Sequence, residues 1–192
     1  MLTVQGLIGE RNGLRLWGPL DFNLHAGAAL HLRGPNGCGK TTLLRTLAGL
    51  RPPLVGRVQR QAGCAFLGHQ DGWAEDLSSL CNLALFASLH GTDTKPAMAL
   101  LSELSIPDRA VRHLSAGQRR KLALARLKLV RRPLWLLDEP LDALDDAACL
   151  WLCKLAQQHV AGGGSVALSS HQPLPVEFPP CQSLWLAQQV PA

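Results

Sequence analysis

Short apolar runs bounded by glycine, proline or charge recur at 2–7, 21–24, 29–33, 64–67, 134–137 and 166–169, and each reads as a strand. Several are separated by segments of helix length, a pattern that predicts an α/β sheet with a parallel core. The early strands crowd together before the first helix and predict a small antiparallel arm. Lys40 to Ala48 should form a helix, stopped by Gly49 and by Pro52 and Pro53. A second should run from Ala116 to Arg131, because Leu122, Ala125 and Leu129 recur at helical spacing and Pro133 cannot continue it. From Asp71 to His113 the chain has no strand pattern and is rich in Leu and Ala. Together with the second helix this gives a helical insertion over about 71–131. Gly162, Gly163 and Gly164 mark a loop feeding the last of these strands.

The length of 192 residues fits one domain of generous size spanning 1–192. Apolar residues at 47% and charged residues at 17% are enough to build a core and exclude a disordered chain. Apolar stretches such as Leu83–Leu89 are too short for a membrane span. The first ten residues lack a basic leading segment and an apolar run before small residues, so no signal peptide is expected, and the expected compartment is cytoplasmic. A net charge of +5 suits nucleotide phosphates, an anionic membrane or nucleic acid without choosing among them. Six cysteines without a CxxC pair predict reduced, mostly buried thiols rather than zinc or redox chemistry.

The sharpest local signal is Gly34, Pro35, Asn36, Gly37, Cys38, Gly39, Lys40 and Thr41, followed by Thr42, set between a predicted strand and a predicted helix. This is a phosphate loop. Its glycines turn backbone N–H groups inward around a phosphate chain, the helix adds its positive end, Lys40 reaches the outer phosphates, and the Thr41 hydroxyl can ligate Mg²⁺. A Mg²⁺-nucleotide site also needs a carboxylate at the end of a second buried strand, and 134–139 supplies four apolar residues and then Asp138 and Glu139. Asp138 would hold the metal's water shell, and Glu139 would orient or deprotonate the attacking water.

Leu114, Ser115, Ala116, Gly117 and Gln118 precede that acidic pair and resemble the LSGGQ signature of the ABC ATPases. In that family the signature serine, glycine and glutamine read the γ-phosphate of a nucleotide bound by a second subunit. The resemblance covers essentially the whole chain and implies a P-loop NTPase fold of ABC type: a mostly parallel core sheet, an antiparallel β arm and a small helical subdomain. Gln70 resembles the Q-loop glutamine, which senses Mg²⁺ and water. Ala143, Leu144 and Asp145 resemble the D-loop at the dimer interface, and His171 resembles the switch histidine that contacts the γ-phosphate. ATP and Mg²⁺ are the implied cofactors, with Thr41, Gln70 and Asp138 around the metal and Lys40, Gln70, Glu139 and His171 as the catalytic set. Two copies would close head to tail over shared nucleotides.

One position departs from the family. Where an aromatic side chain usually stacks on adenine, this chain has Arg11, and it has no tyrosine at all. A guanidinium plane can stack on a base, so Arg11 is the expected base reader, with Trp17 as the alternative. Within the family, the short length, the run LSAGQRRKLALARLKL and the tail SSHQPL most resemble the ATP-binding subunits of the haem exporters of cytochrome c biogenesis. That resemblance implies a peripheral ATPase homodimer on the cytoplasmic face of the inner membrane, bound to multi-pass membrane subunits, with no nucleic acid. A transporter of another small solute, or a soluble ABC ATPase acting on nucleic acid or ribosomes, stays open. The basic cluster of Arg119, Arg120, Lys121, Arg126, Lys128, Arg131 and Arg132 reads as a solvated surface. Cys149 and Cys153 share a helical face and read as packing residues. Cys38, inside the phosphate loop beside Lys40, is expected to be a reactive thiol that bound MgATP protects.

Overall fold

A computed structural model describes residues 1–11, 13–69 and 72–186. Five strands form a wholly parallel sheet: β3 (Ala29–Arg33), β5 (Cys64–Leu67), β6 (Leu134–Asp138), β7 (Ser165–Ser169) and β8 (Cys181–Trp185), in the order β5-β6-β7-β3-β8. Beside it, β1 (Leu2–Arg11), β2 (Leu14–Leu24) and β4 (Val55–Arg60) form an antiparallel sheet ordered β2-β1-β4. Among the described residues the α-helices are α1 (Lys40–Ala48), α2 (Ser79–Leu89), α3 (Pro96–Glu103), α4 (Ala116–Leu129) and α5 (Asp146–Ala161). Among the described residues no helix is long and apolar enough to cross a membrane.

The expected parallel core and antiparallel arm are both present. α1 has the expected bounds, because Gly49 ends it at φ 76° and its N–H returns to the carbonyls of Arg45 and Thr46. α4 ends at Leu129 rather than Arg131, since Val130 leaves helical geometry at φ −108° and ψ 85° before Pro133 is reached. β2 begins well before Asp21, and three elements carried too little periodic signal to be read as such. β4 is a largely exposed edge strand with two arginines, β8 is also an edge strand, and α5 was visible only as the shared face of Cys149 and Cys153. The helical insertion contains α2, α3, a 3₁₀ turn at Val111–His113 and α4; its first expected residue, Asp71, lies outside the described residues.

Period-two alternation along β6 divides the core. Leu134 and Leu136 face a cluster with α1 and the antiparallel sheet, including Leu43, Leu47, Leu7 and Trp17, while Trp135 and Leu137 face Leu152, Ala156 and Leu168 on the other side. A third cluster joins α2, α3 and α4 through Leu83, Leu101 and Leu122. α4 serves two clusters, since Leu124 and Leu127 pack toward the parallel sheet whereas Leu122, Ala125 and Leu129 pack toward α2 and α3. It is the mechanical link between sheet and helical insertion. Each fully buried leucine on it contributes about 1.5–3 kcal/mol of apolar transfer, so no turn of this helix is free to drift.

The basic cluster is a solvated face only in part: Lys128 and Arg131 are exposed, while other cations of the cluster are engaged. Arg120 is buried, and the Arg126 guanidinium lies 3.5 Å over Trp73 and 4.6 Å over Phe86. Lys121 pairs with Asp145 at 2.6 Å and Lys128 with Glu103 at 2.8 Å. A helix packed on three sides has little surface left for spare charge, so its cations find partners on the elements around it.

Candidate functional site

The C-terminal ends of β3 and β6 meet at a cleft of about 310 Å³ lined by Asn36, Gly37, Gly39, Lys40, Thr41 and Thr42 from the loop and α1, and by Asp138, Glu139 and His171 facing them. Ligands gather at this end of parallel sheets because the strands and the following helices both expose unpaired backbone groups there. Arg11, Leu16, His69 and Asp142 complete the wall.

The loop's shape favours glycine at Gly34, Gly37 and Gly39, all at positive φ, and at two of them close packing demands it as well. Gly34 sits at φ 145°, where a Cβ would stand 2.5 Å from the Leu186 carbonyl oxygen. Gly39 sits at φ 97°, where a Cβ would meet the Trp17 ring nitrogen at 2.6 Å. Gly39 is also the N-cap of α1 and offers no capping side chain, so the first N–H groups of that helix remain free to face an anion. Lys40 Nζ donates to the Gly34 carbonyl at 3.0 Å and the Pro35 carbonyl at 3.3 Å, which holds the ammonium against the loop.

Two corrections follow from this packing. Trp17 is buried beneath the loop and donates from Nε1 to the Gly39 carbonyl at 3.3 Å, so it props the loop and cannot read a base. Cys38 has no exposed surface and packs under Gly34, so the expected reactive thiol is sealed inside the core. Of the six free cysteines Cys81 is the exposed one and only Cys38 and Cys153 are buried. Burial pushes the Cys153 and Cys181 thiols up to about 11.

Across the cleft, the Thr41 hydroxyl donates to Asp138 Oδ2 at 2.8 Å, and the Ser169 hydroxyl donates to Asp138 Oδ1 at 2.8 Å. Register explains the second contact, because Asp138 and Ser169 are paired residues at the ends of β6 and β7. Ser169 Oγ also accepts the Glu139 N–H at 3.1 Å. Glu139 adopts φ 48°, a left-handed conformation that costs a side-chain-bearing residue about 1–3 kcal/mol and persists only where its surroundings hold it. Its carboxylate accepts the His171 N–H at 2.8 Å through Oε2, and Oε1 lies 3.1 Å from His171 Nε2. Burial raises the Glu139 carboxyl above the usual carboxylate range; the His171 N–H, its ring and Lys40 pull the other way.

Gln70 lies outside the described residues. The structure brings Lys40, Thr41, Thr42, Asp138, Glu139, His171 and Arg11 to one cleft, with Asn36, Gly37 and Gly39. It does not bring Ser115, Gly117 or Gln118 there. Ser115 is exposed and caps α4, its Oγ accepting the Gln118 N–H at 3.2 Å while its own N–H donates to Gln118 Oε1 at 3.0 Å. Such a capping box contributes about 1 kcal/mol to its helix. Gly117 has to be small, because a Cβ would stand 2.8 Å from the Ala143 carbonyl oxygen. Asp145 N-caps α5 and is held below the usual carboxylate range by Lys121. Ser169 and His69 were not singled out by local pattern, and Arg120 only as one cation of the basic cluster; for His69 the only signal was its place beside Gln70.

A parallel sheet with a glycine loop opening into α1 and paired acids at the end of β6, with β7 between that strand and β3, defines an α/β P-loop nucleoside triphosphatase. Residues 18–142 match the model of the ABC transporter family. The chain is 46% identical over 173 residues, 89% of its length and 81% of the relative's, to the cytochrome c biogenesis ATP-binding export protein CcmA of Rhodobacter capsulatus. It is 45% identical over 172 residues to the protein of that name in Ruegeria pomeroyi, covering 88% of this chain and 84% of that one. The chain belongs to the ABC transporter family of ATPases, in the branch of the cytochrome c biogenesis ATP-binding export proteins. It is therefore an ATP-binding enzyme that couples ATP hydrolysis to transport. Solved structures agree on the fold. A putative ABC transporter ATP-binding protein from Pyrococcus furiosus superposes with a TM-score of 0.81 at 24% identity over 96% of both chains. The ATP-binding cassette MJ0796, dimeric in a post-hydrolysis state with ADP and Pi, superposes with 0.77 at 22% identity over 90% of this chain and 88% of that one.

Proposed function

We propose that this chain is the ATPase subunit of a haem-exporting complex of cytochrome c biogenesis, working as a homodimer on the cytoplasmic face of the inner membrane against multi-pass membrane subunits. The observation that carries the enzymatic part is the convergence of Lys40, Thr41, Asp138, Glu139 and His171 on one cleft. The kinship with cytochrome c biogenesis ATP-binding export proteins supports the rest. The whole chain, 1–192, acts as one cassette with the helical insertion facing the membrane subunits.

Lys40 and the free N–H groups of α1 bind the phosphate chain, and Thr42 continues the wall on the same helix. Thr41 Oγ and Asp138 Oδ2 stand side by side as hard oxygen donors, a donor set that fits Mg²⁺, with Gln70 as a third contributor. Bound there, Mg²⁺ would neutralise charge on the outer phosphates. Glu139 orients the attacking water and takes its proton, and His171 fixes the Glu139 carboxylate while facing the γ-phosphate. Developing charge on the γ-phosphate is met by Lys40 and by the partner's signature. Exposure of Ser115 on α4, away from its own chain's cleft, supports a role for Ser115, Gly117 and Gln118 in the opposing site. Arg11 stacks on the base.

Purification from detergent-solubilised membranes tests this reading. Multi-pass subunits should accompany the chain, and its removal should abolish c-type cytochrome formation. Normal cytochrome content without the chain would assign the cassette to another solute, and recovery with ribosomes or nucleic acid would assign it to the soluble ABC class.

A further inference from the structure

Arg120 lies one turn into α4, behind the signature, and is almost wholly buried. Its Nη1 donates to the Gly68 carbonyl at 3.0 Å, and its Nη2 donates to the carbonyls of Asp138 at 2.8 Å and Glu139 at 2.7 Å. One guanidinium therefore joins three elements: the signature helix, the end of the β6 strand and the segment leaving β5 toward Gln70. The planar fork is what makes this possible, since its donors diverge at fixed angles and reach two backbone segments at once, whereas an ammonium is a compact point charge on a single stem.

The site needs such a clamp at this place. Glu139 is held at its N–H by Ser169 and at its carboxylate by His171, yet it sits in a left-handed conformation that a side-chain-bearing residue leaves unless restrained. Arg120 restrains the remaining atom, the carbonyl oxygen, and the one before it. We propose that Arg120 is a positioning residue that fixes the Glu139 backbone from the signature helix. This rests on the reading above in which Glu139 orients the attacking water.

The chemistry passes through Glu139, so Arg120 touches neither substrate nor metal. Substitution should lower turnover without lowering nucleotide affinity. Arg120→Lys keeps the charge and Arg120→Met keeps the apolar stem. In the full chain, both are expected to bind MgATP within threefold of the parent while kcat falls at least tenfold, with Lys recovering little of the loss. Hydrogen exchange gives a readout that does not depend on hydrolysis. The Glu139 and His171 amides, whose acceptors are Ser169 Oγ and Glu139 Oε2, should exchange at least tenfold faster in both variants, while β3 amides stay protected. Unchanged exchange at those two amides overturns the proposal whether or not the enzyme turns over. So does a loss of protection throughout the sheet in both variants, which would make Arg120 a folding residue alone. A parent chain without any hydrolysis, but with the local exchange change present in the variants, would instead count against the ATPase reading.

Discussion

His171 and Glu139 meet twice: the backbone N–H of His171 donates to Oε2 at 2.8 Å, and its ring Nε2 stands 3.1 Å from Oε1. The carboxylate is thereby aimed from the end of β7 as well as from the end of β6, and its orientation is set before any ligand arrives. Glu139→Gln keeps the shape and removes the base. It should lower turnover at least ~100-fold while MgATP binding persists, as general-base losses of that size imply. Hydrolysis near the parent's rate would remove Glu139 from the role.

The same carboxylate governs the acid limb of the pH profile. Burial raises its ionisation above the usual carboxylate range, and the ring of His171 opposes that shift. Activity that needs the carboxylate should therefore fall on acidification at a pH above the ~4.3 of an ordinary glutamate. In His171→Ala the opposing ring is lost, and the midpoint of the kcat profile should move to higher pH. A midpoint that stays put or moves down would show that His171 does not act on this group. Stability has the opposite sense: with its folded-state ionisation raised, Glu139 weakens the fold as pH rises from the unfolded value through the folded one. The gain in melting temperature of Glu139→Gln should accordingly be larger at pH 8 than at pH 4.

Ser115 is exposed and engaged only with its own helix. Ser115→Arg should therefore leave ATP binding by the separated chain intact and reduce hydrolysis by at least ~100-fold, the cost of losing one oriented donor to developing charge. Equal loss of binding and turnover in the monomer would contradict a shared site.

Base selectivity should be weak. Arg11 and Leu16 line the cleft, and the nearest aromatic along the chain, Trp17, is committed to the Gly39 carbonyl. Competition experiments should place GTP within about tenfold of ATP, a gap of about 1.4 kcal/mol. A hundredfold preference for ATP would require a reader other than Arg11.

Cys38 should resist thiol reagents in the folded protein, because it has no exposed surface, whereas Cys81 should label first. Mass-spectrometric mapping after brief maleimide treatment checks the order. Cys38→Ala should leave a small void under the loop and cost about 1–2 kcal/mol of stability. Rapid labelling at Cys38 that MgATP suppresses would return the thiol to the cleft.

Local spacing was enough for the phosphate loop, the acidic pair and the helix starting at Lys40, because a loop that wraps phosphate, a strand that ends in acid and a helix stopped by glycine are each contained in a few consecutive residues. The parallel core and antiparallel arm were legible for the same reason, except where an edge strand such as β4 buries too little to show alternation. Contacts between distant segments were not. Ser169 meets Asp138 only because β7 pairs with β6 in that register. Arg120, one of several cations on a helix, becomes the clamp on Glu139 only because α4 packs against the end of β6. Cys38 lies within the loop and Trp17 on β2, yet both are buried in the core cluster that α1, β6 and the antiparallel sheet share. A hydrogen bond or a buried face depends on which elements meet and at what register, and that is decided by the sum of core packing over the whole chain rather than by any residue's neighbours in sequence.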